Sequence, residues 1–145
     1  GARIRPARRE EAARWAKARV ESVAGFTGAI DPDLWAETLE WSAGFEPEAR
    51  SALTGLGVRL GGGGHHQLVH FLVRHLRPKV VLETGVAAGW TSQAILSALA
   101  RNGNGTLYSS DFPYFRLDDP EQYVGCLVDE ALRPGWHLGL HGDRT

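Results

Sequence analysis

The segment KVVLETGVAAGWT, residues 79–91, combines a short apolar run, an acidic residue and a turn that contains two glycines. The apolar run at 79–83 is typical of a buried parallel strand. The turn at 85–89 allows the backbone to bend tightly and a ligand to approach it, because glycine has no side chain. A helix predicted at 91–101 directs its free N–H groups toward the same turn. The segment therefore predicts a strand, a ligand-binding turn and a helix.

Helices and strands alternate around this segment. Apolar spacing and short apolar runs predict further helices at 65–76 and 124–132 and further strands at 106–110 and 136–141. The order from residue 65 onward is then helix, strand, helix, strand, helix, strand. This order favours an α/β fold with a parallel sheet, because crossover helices join parallel strands.

The N-terminal part of the chain is helical in pattern and contains no predicted strand. Residues 1–60 are expected to form a helical extension or cap, and residues 61–145 the sheet-containing domain. The first helix is predicted at 6–25. A second helix begins with Asp31 as its cap and a proline in its first turn. A proline then starts a short third helix at 47–55.

Composition excludes several classes of protein. Of the 145 residues, 43% are hydrophobic and 23% are charged, which is close to the average of a soluble globular domain. No apolar run reaches 18 residues, so no membrane association is expected. The net charge of −1 gives no indication of nucleic-acid binding. The single cysteine cannot form a disulfide within the chain, which favours a reducing, cytoplasmic setting.

Two charge and histidine patterns each have two interpretations. Residues 1–20 carry seven basic side chains, and residues 31–48 carry six acidic ones and no basic one. The basic segment either packs beside the acidic helix or forms an arm that binds phosphate or a partner. His66 and His70 share a helix face and could ligate a metal, but no third ligand is evident. We therefore expect a packed or solvated face there and no metal.

Acidic residues follow the predicted strands. Glu83 ends the first strand, Asp111 the second and Asp143 the third. In open α/β sheets, ligands bind beyond the carboxyl ends of the strands, so these three carboxylates are expected to line one crevice. Each could alternatively be a helix cap or a solvated loop charge.

The glycine turn fits one template better than two others. A dinucleotide-binding turn has glycine at three positions. In this chain those positions are occupied by Gly85, Ala87 and Trp90. An indole at the third place would prevent close packing of the helix on the strand. A phosphate loop needs Lys and Ser or Thr where Trp90 and Thr91 stand. The pattern acid-x-Gly-x-Gly-x-Gly fits, with Ala87 in the middle place and Gly89 in the last.

Three segments resemble the class I S-adenosylmethionine-dependent methyltransferases. They are KVVLETGVAAGWTS, GTLYSSDFP and WHLGLHGDR, and together the resemblance covers about residues 61–145. It is closest to small-molecule O-methyltransferases whose first motif reads ETGVA-x-G. The resemblance implies a Rossmann-like parallel sheet of which the chain contains the first three strands, in the order 3-2-1. Residues 61–145 would then be the N-terminal half of the cofactor-binding domain.

By position, the resemblance assigns the methionine side of S-adenosylmethionine to the glycine turn. Glu83 would lie near the ammonium group. The backbone at Gly85, Ala87 and Gly89 would pass close to the cofactor, and Trp90 and Thr91 would face its methionine end. His65 would belong to the segment that closes over the cofactor carboxylate. Trp90 has an alternative interpretation as a core residue.

The resemblance assigns the adenosine side to the ends of the second and third strands. Asp111 would accept the two ribose hydroxyls, and Asp143 would lie near the adenine amino group. Phe112 would stack on the adenine, or alternatively would anchor its loop.

The resemblance implies methyl transfer to a small molecule, with a hydroxyl of a sugar or natural product as the leading acceptor. No residue of this chain is assigned as the acceptor base. Two other functions remain open: a NAD-dependent oxidoreductase and a non-catalytic binding fragment. The N-terminal helices and the open sheet edge are the two candidate surfaces for a homo-oligomer.

Overall fold

The computed structural model describes residues 6–17, 21–60 and 62–141. The N-terminal helices are α1 (Pro6–Lys17), α2 (Val23–Ile30) and α3 (Pro32–Gly55). The remainder contains α4 (His66–Leu76), β1 (Val80–Thr84), α5 (Trp90–Asn102), β2 (Thr106–Ser110) and β3 (Trp136–Gly139). Two 3-10 helices, Pro120–Tyr123 and Glu130–Gly135, lie between β2 and β3. No helix in the described ranges combines the length and the apolarity needed to cross a bilayer.

The three strands form one parallel sheet with β2 in the middle. Val80 pairs with Thr106 at the start of β1, and Thr84 pairs with Ser110 at its end. Leu107 of β2 pairs with Trp136 of β3. The predicted parallel α/β sheet and its strand order are therefore confirmed, and all three carboxyl ends lie at one edge.

Only one face of the sheet is covered by the described residues. Leu107 is fully buried there and packs in a cluster with side chains of α4 and α5: Val73, Ile95, Leu96, Ala98 and Leu99. On the opposite face, Leu82 keeps 78% of its surface exposed and Val80 keeps 57%. Strand residues alternate between faces, so this difference follows from the register of β1. Glu83 lies on the covered face, next to the start of α5.

The helix boundaries differ from two predictions in the N-terminal part. The prediction of one continuous helix at 6–25 is wrong, because Ser22 is extended and accepts a hydrogen bond from Gly25 N at 3.0 Å, which starts a separate helix, α2. Residues 18–20 of the predicted helix lie outside the described residues. The helices predicted to begin at Asp31 and at residue 47 are one helix of 24 residues with Pro47 inside it. Phe45 and Leu53 pack in the same cluster on either side of Pro47, and this burial offsets the hydrogen bond that proline removes. The predicted Asp31 cap is confirmed.

The helix predicted at 124–132 is wrong. Gly125 adopts a φ of 68°, and the backbone N–H groups of Gly125 and Leu127 donate to the carbonyls of Ala87 and Ala88 at 2.8 and 2.9 Å. These donors are therefore used between segments and not within a helix. The strand predicted at 136–141 ends at Gly139.

Polar side chains connect α3 to α4 and α5. The Thr38 hydroxyl lies 3.0 Å from Nδ1 of the fully buried His70, whose ring stacks on Trp41 at 4.2 Å. Glu37 accepts hydrogen bonds from Arg74 of α4 and Arg101 of α5. The N-terminal helical layer is thus attached by charged and polar contacts as well as by apolar packing.

His70 makes the stability of this attachment sensitive to pH. Burial lowers the pKa of His70 from 6.5 to about 4, and the nearby guanidinium groups of Arg101 and Arg74 act in the same direction. The unfolded chain therefore binds a proton before the folded chain does as the pH falls. The free energy of unfolding is therefore unaffected by His70 above about pH 6.5. As the pH falls toward 4, it decreases by up to about 3 kcal/mol.

We expect His70→Phe to flatten this dependence, because phenylalanine keeps the stacking on Trp41 and cannot be protonated. The free energy of unfolding, measured by urea denaturation between pH 7 and pH 4, provides the comparison. His65→Phe is the control, since His65 is exposed. Equal slopes for the wild type and His70→Phe would show that His70 does not carry the effect.

Candidate functional site

The turn between β1 and α5 contains three residues in left-handed conformation. Gly85, Ala87 and Gly89 have φ values of 83°, 50° and 98°. Gly85 N donates to Ser110 O at 2.8 Å, which continues the β1–β2 pairing by one residue. Left-handed conformation costs about 1–2 kcal/mol for a residue with a side chain, so Ala87 must be held in place by its contacts.

The carboxylate of Asp111 provides those contacts. Its Oδ2 accepts hydrogen bonds from the backbone N–H groups of Val86 and Ala87 at 2.7 and 2.6 Å. Its Oδ1 accepts a hydrogen bond from Phe112 N at 2.6 Å. The end of β2 is thereby tied to the turn after β1. The donors of the turn point at an acidic side chain of the protein, and a negative charge occupies the position at which such turns bind phosphate.

The opposite side of the turn contacts the segment at 124–128. The carbonyls of Ala87 and Ala88 accept the N–H groups of Gly125 and Leu127. A Cβ on Gly89 would lie 2.9 Å from the Cα of Gly125, so the two backbones touch. Sequence reasoning placed Gly125 inside a helix and missed this contact. A glycine in an otherwise apolar helical pattern was the available signal.

Glu83 is held by hydroxyl groups from two neighbouring elements. Thr91 and Ser92 at the start of α5 and Ser109 of β2 each donate to its carboxylate at 2.7 Å. The structure thus brings the predicted residues Glu83 and Thr91 into direct contact. Ser92 and Ser109 were not singled out from the sequence, because a lone serine carries no motif. Three donors fix the direction of a carboxylate that offers about four acceptor positions.

Trp90 lies in the core. It is 5% exposed, and its ring packs against Phe45 and His66 with centroids 5.2 and 5.3 Å apart. A Cβ on Gly63 would lie 2.8 Å from the indole, which explains why the chain has glycine where it crosses this ring. This placement matches the alternative interpretation of Trp90 as a core residue. The contact between Trp90 and the methionine end of a cofactor stays a prediction. Burial of the indole leaves little surface for such a contact.

The other predicted site residues lie at different places around the strand ends. Phe112 follows Asp111, is 54% exposed and lies 6.2 Å from Phe115. His65 is exposed and directly precedes α4. Asp143 falls outside the described residues. The structure therefore joins Glu83, the glycine turn and Asp111 into one unit, with Phe112 at its border.

Two further titratable groups lie near this unit. Burial raises the pKa of Tyr114, and the negative charge of Asp111 raises it further, so its phenol stays protonated. Burial also raises the pKa of the Cys126 thiol, which lies 3.8 Å from the carbonyl of Ala88. Neither side chain is ionised at neutral pH, and a protonated thiol is a poor nucleophile.

His66 and His70 are both engaged with α3. His66 Nε2 lies 3.1 Å from Glu46 Oε1, and His70 lies beside Thr38. Within residues 6–17, 21–60 and 62–141, no group of three His, Cys, Asp or Glu side chains is arranged to hold a metal ion.

Comparisons of the chain with protein-family models, with curated proteins and with solved structures found no match.

The two glycines of the turn provide a matched pair of substitutions. Gly85→Ala and Gly89→Ala both place a side chain at positive φ, but only the Cβ at Gly89 would meet backbone, at 2.9 Å. We expect Gly89→Ala to lower the free energy of unfolding by about 1–3 kcal/mol more than Gly85→Ala. Chemical denaturation measures both. Equal losses would mean that the contact with Gly125 is not formed.

Removal of the Asp111 carboxylate should expose the N–H donors of the turn. We expect Asp111→Ala to lose about 1.5–3 kcal/mol of stability, because the hydrogen bonds to a charged acceptor are lost. Added sulfate should restore part of the melting temperature of this variant beyond its effect on the wild type. Asp118→Ala, in the same loop, is the control. An identical response to sulfate in all three proteins would contradict the assigned role of Asp111.

Proposed function

We propose that the protein binds S-adenosylmethionine beyond the carboxyl ends of β1 and β2 and methylates a small molecule. A hydroxyl group of a sugar or natural product is the proposed acceptor. The observation that carries the proposal is the capping of the glycine turn by Asp111. A carboxylate at that position favours a ligand with hydroxyl donors or positive charge and disfavours a phosphate.

The same observation weighs against a nicotinamide dinucleotide. A dinucleotide places its pyrophosphate on the N–H groups of a glycine turn. Here the N–H groups of Val86 and Ala87 already donate to Asp111, and an approaching phosphate would be repelled by the carboxylate. S-adenosylmethionine carries no phosphate and has a sulfonium and an ammonium group, so it does not meet this repulsion.

Glu83 fits the methionine end of the proposed cofactor. Its half-buried carboxylate accepts three hydroxyl hydrogen bonds from the described residues, and these leave one acceptor position free. A fixed carboxylate attracts an ammonium group more strongly than a mobile one, because no side-chain freedom is lost on binding. Thr91 would act here as a positioning residue that orients Glu83.

Asp111 and Phe112 fit the adenosine end. Among the described residues, Oδ1 of Asp111 accepts only the N–H of Phe112, which leaves an acceptor position on this oxygen for a ribose hydroxyl. The exposed ring of Phe112 offers a face for a purine. Both residues come from the end of β2, and the short distance between them suits one nucleoside.

The bound cofactor would supply an electrophilic methyl group on its sulfonium. The described residues would bind and orient the cofactor, and methyl transfer then requires an acceptor in line with the methyl group. A hydroxyl acceptor also needs a base, and none of the described residues is assigned to that role.

Titration calorimetry with S-adenosylhomocysteine tests the proposal. We expect the wild type to bind this product and not NAD. Asp111→Asn should weaken binding about 10- to 100-fold, because the amide oxygen still accepts from the turn while the NH₂ group replaces the oxygen offered to the ribose.

Asp118→Asn is the matched control, since it changes the charge of the same loop equally. Absence of binding by the wild type at millimolar S-adenosylhomocysteine would refute the proposal. Equal affinities of the two variants would remove Asp111 from the site.

A further inference from the structure

A concave surface lies between the segment after α3 and the loop that follows Asp111. Its cavity has a volume of about 380 Å³. The lining residues are Arg59, Pro113, Tyr114, Phe115, Arg116 and Leu117. This volume lies at the lower end of the range of small-molecule sites, about 300–1,000 Å³.

The lining is positively charged and contains no acidic side chain. Arg59 and Arg116 are both exposed. Within the described parts of the chain, neither guanidinium forms an ion pair or a hydrogen bond. By contrast, Arg74 and Arg101 are both paired with Glu37. Two unpaired guanidinium groups at one cavity favour an anion, because their planar N–H groups match a carboxylate or phosphate.

The remaining lining is apolar and partly aromatic. Phe115 keeps 79% of its surface exposed, and Tyr114 and Leu117 are half-buried beside it. An exposed aromatic ring next to two cationic groups offers stacking to a planar ligand and charge to its acidic group. Neither an uncharged sugar nor inorganic phosphate would use both features.

We propose that this cavity binds a small planar aromatic acid, with its acidic group between Arg59 and Arg116 and its ring against Phe115. The site shares no residue with the proposed cofactor crevice, and the inference does not depend on that proposal. The two sites adjoin, because the rings of Phe112 and Phe115 lie 6.2 Å apart, so each site is tested with its own ligand and its own variants.

Nuclear magnetic resonance titration of the ¹⁵N-labelled protein tests the proposal with two probes, 4-hydroxybenzoate and phenyl phosphate. Comparison of the carboxylate probe with the phosphate probe shows which acidic group the cavity prefers. We expect saturable shifts of the backbone amides of Arg59 and residues 114–117 with at least one probe. 4-Hydroxybenzyl alcohol, which has the same ring without the charge, should bind at least ten-fold more weakly.

Arg59→Gln and Arg116→Gln should each weaken the preferred probe about ten-fold, which corresponds to the loss of one charge-assisted hydrogen bond. Arg14→Gln removes an exposed arginine of α1 that does not line the cavity and should have no effect. Both substituted side chains are exposed, and unchanged amide spectra elsewhere verify the fold of each variant.

The proposal is overturned if neither probe shifts these amides at millimolar concentration, or if the alcohol binds as tightly as the acids. It is also overturned if Arg14→Gln weakens binding as much as the cavity variants, since a general loss of positive charge would then explain the effect. Calorimetry with S-adenosylhomocysteine is a separate measurement, so failure of one proposal is distinguishable from failure of the other.

Discussion

The carboxylate of Asp111 holds the turn after β1 in a conformation that alanine does not favour. It accepts the N–H groups of Val86 and Ala87, and its own position is set by the end of β2. A hydrogen bond to a charged acceptor contributes about 1.5–3 kcal/mol, which is comparable to the cost of left-handed backbone at Ala87. The packing of α5 on the sheet and the contact between Gly89 and Gly125 both depend on this turn.

The strand ends consequently present acidic groups that are already oriented. Glu83 is fixed by three hydroxyls, and Asp111 is fixed by three backbone N–H groups. Orientation before binding reduces the entropy lost when a ligand arrives. The charge at the strand ends also matters, because carboxylates attract cations and hydroxyl donors and repel phosphates. This selection is the physical basis of the proposed preference for S-adenosylmethionine over a dinucleotide.

The N-terminal helices contact the same region from the other side. α3 packs on Trp90 through Phe45, and polar contacts join it to His66, His70 and Arg74 of α4. Trp90 is the first residue of α5, so the helical layer and the glycine turn share one packed residue. Changes in the ionisation of His70 therefore act on a layer that lies against the candidate site.

The sequence by itself determined the alternation of helices and parallel strands, the acids Glu83 and Asp111 at the strand ends, and the Asp31 cap. Apolar periodicity, strand length and turn residues are local signals, which can be read without knowing the tertiary contacts. Only the tertiary structure decided that Pro47 lies inside a helix, that Trp90 is buried, and that Gly125 leaves helical geometry to bond with the turn. These outcomes depend on contacts between residues far apart in sequence, whose burial and hydrogen bonds outweigh local preference.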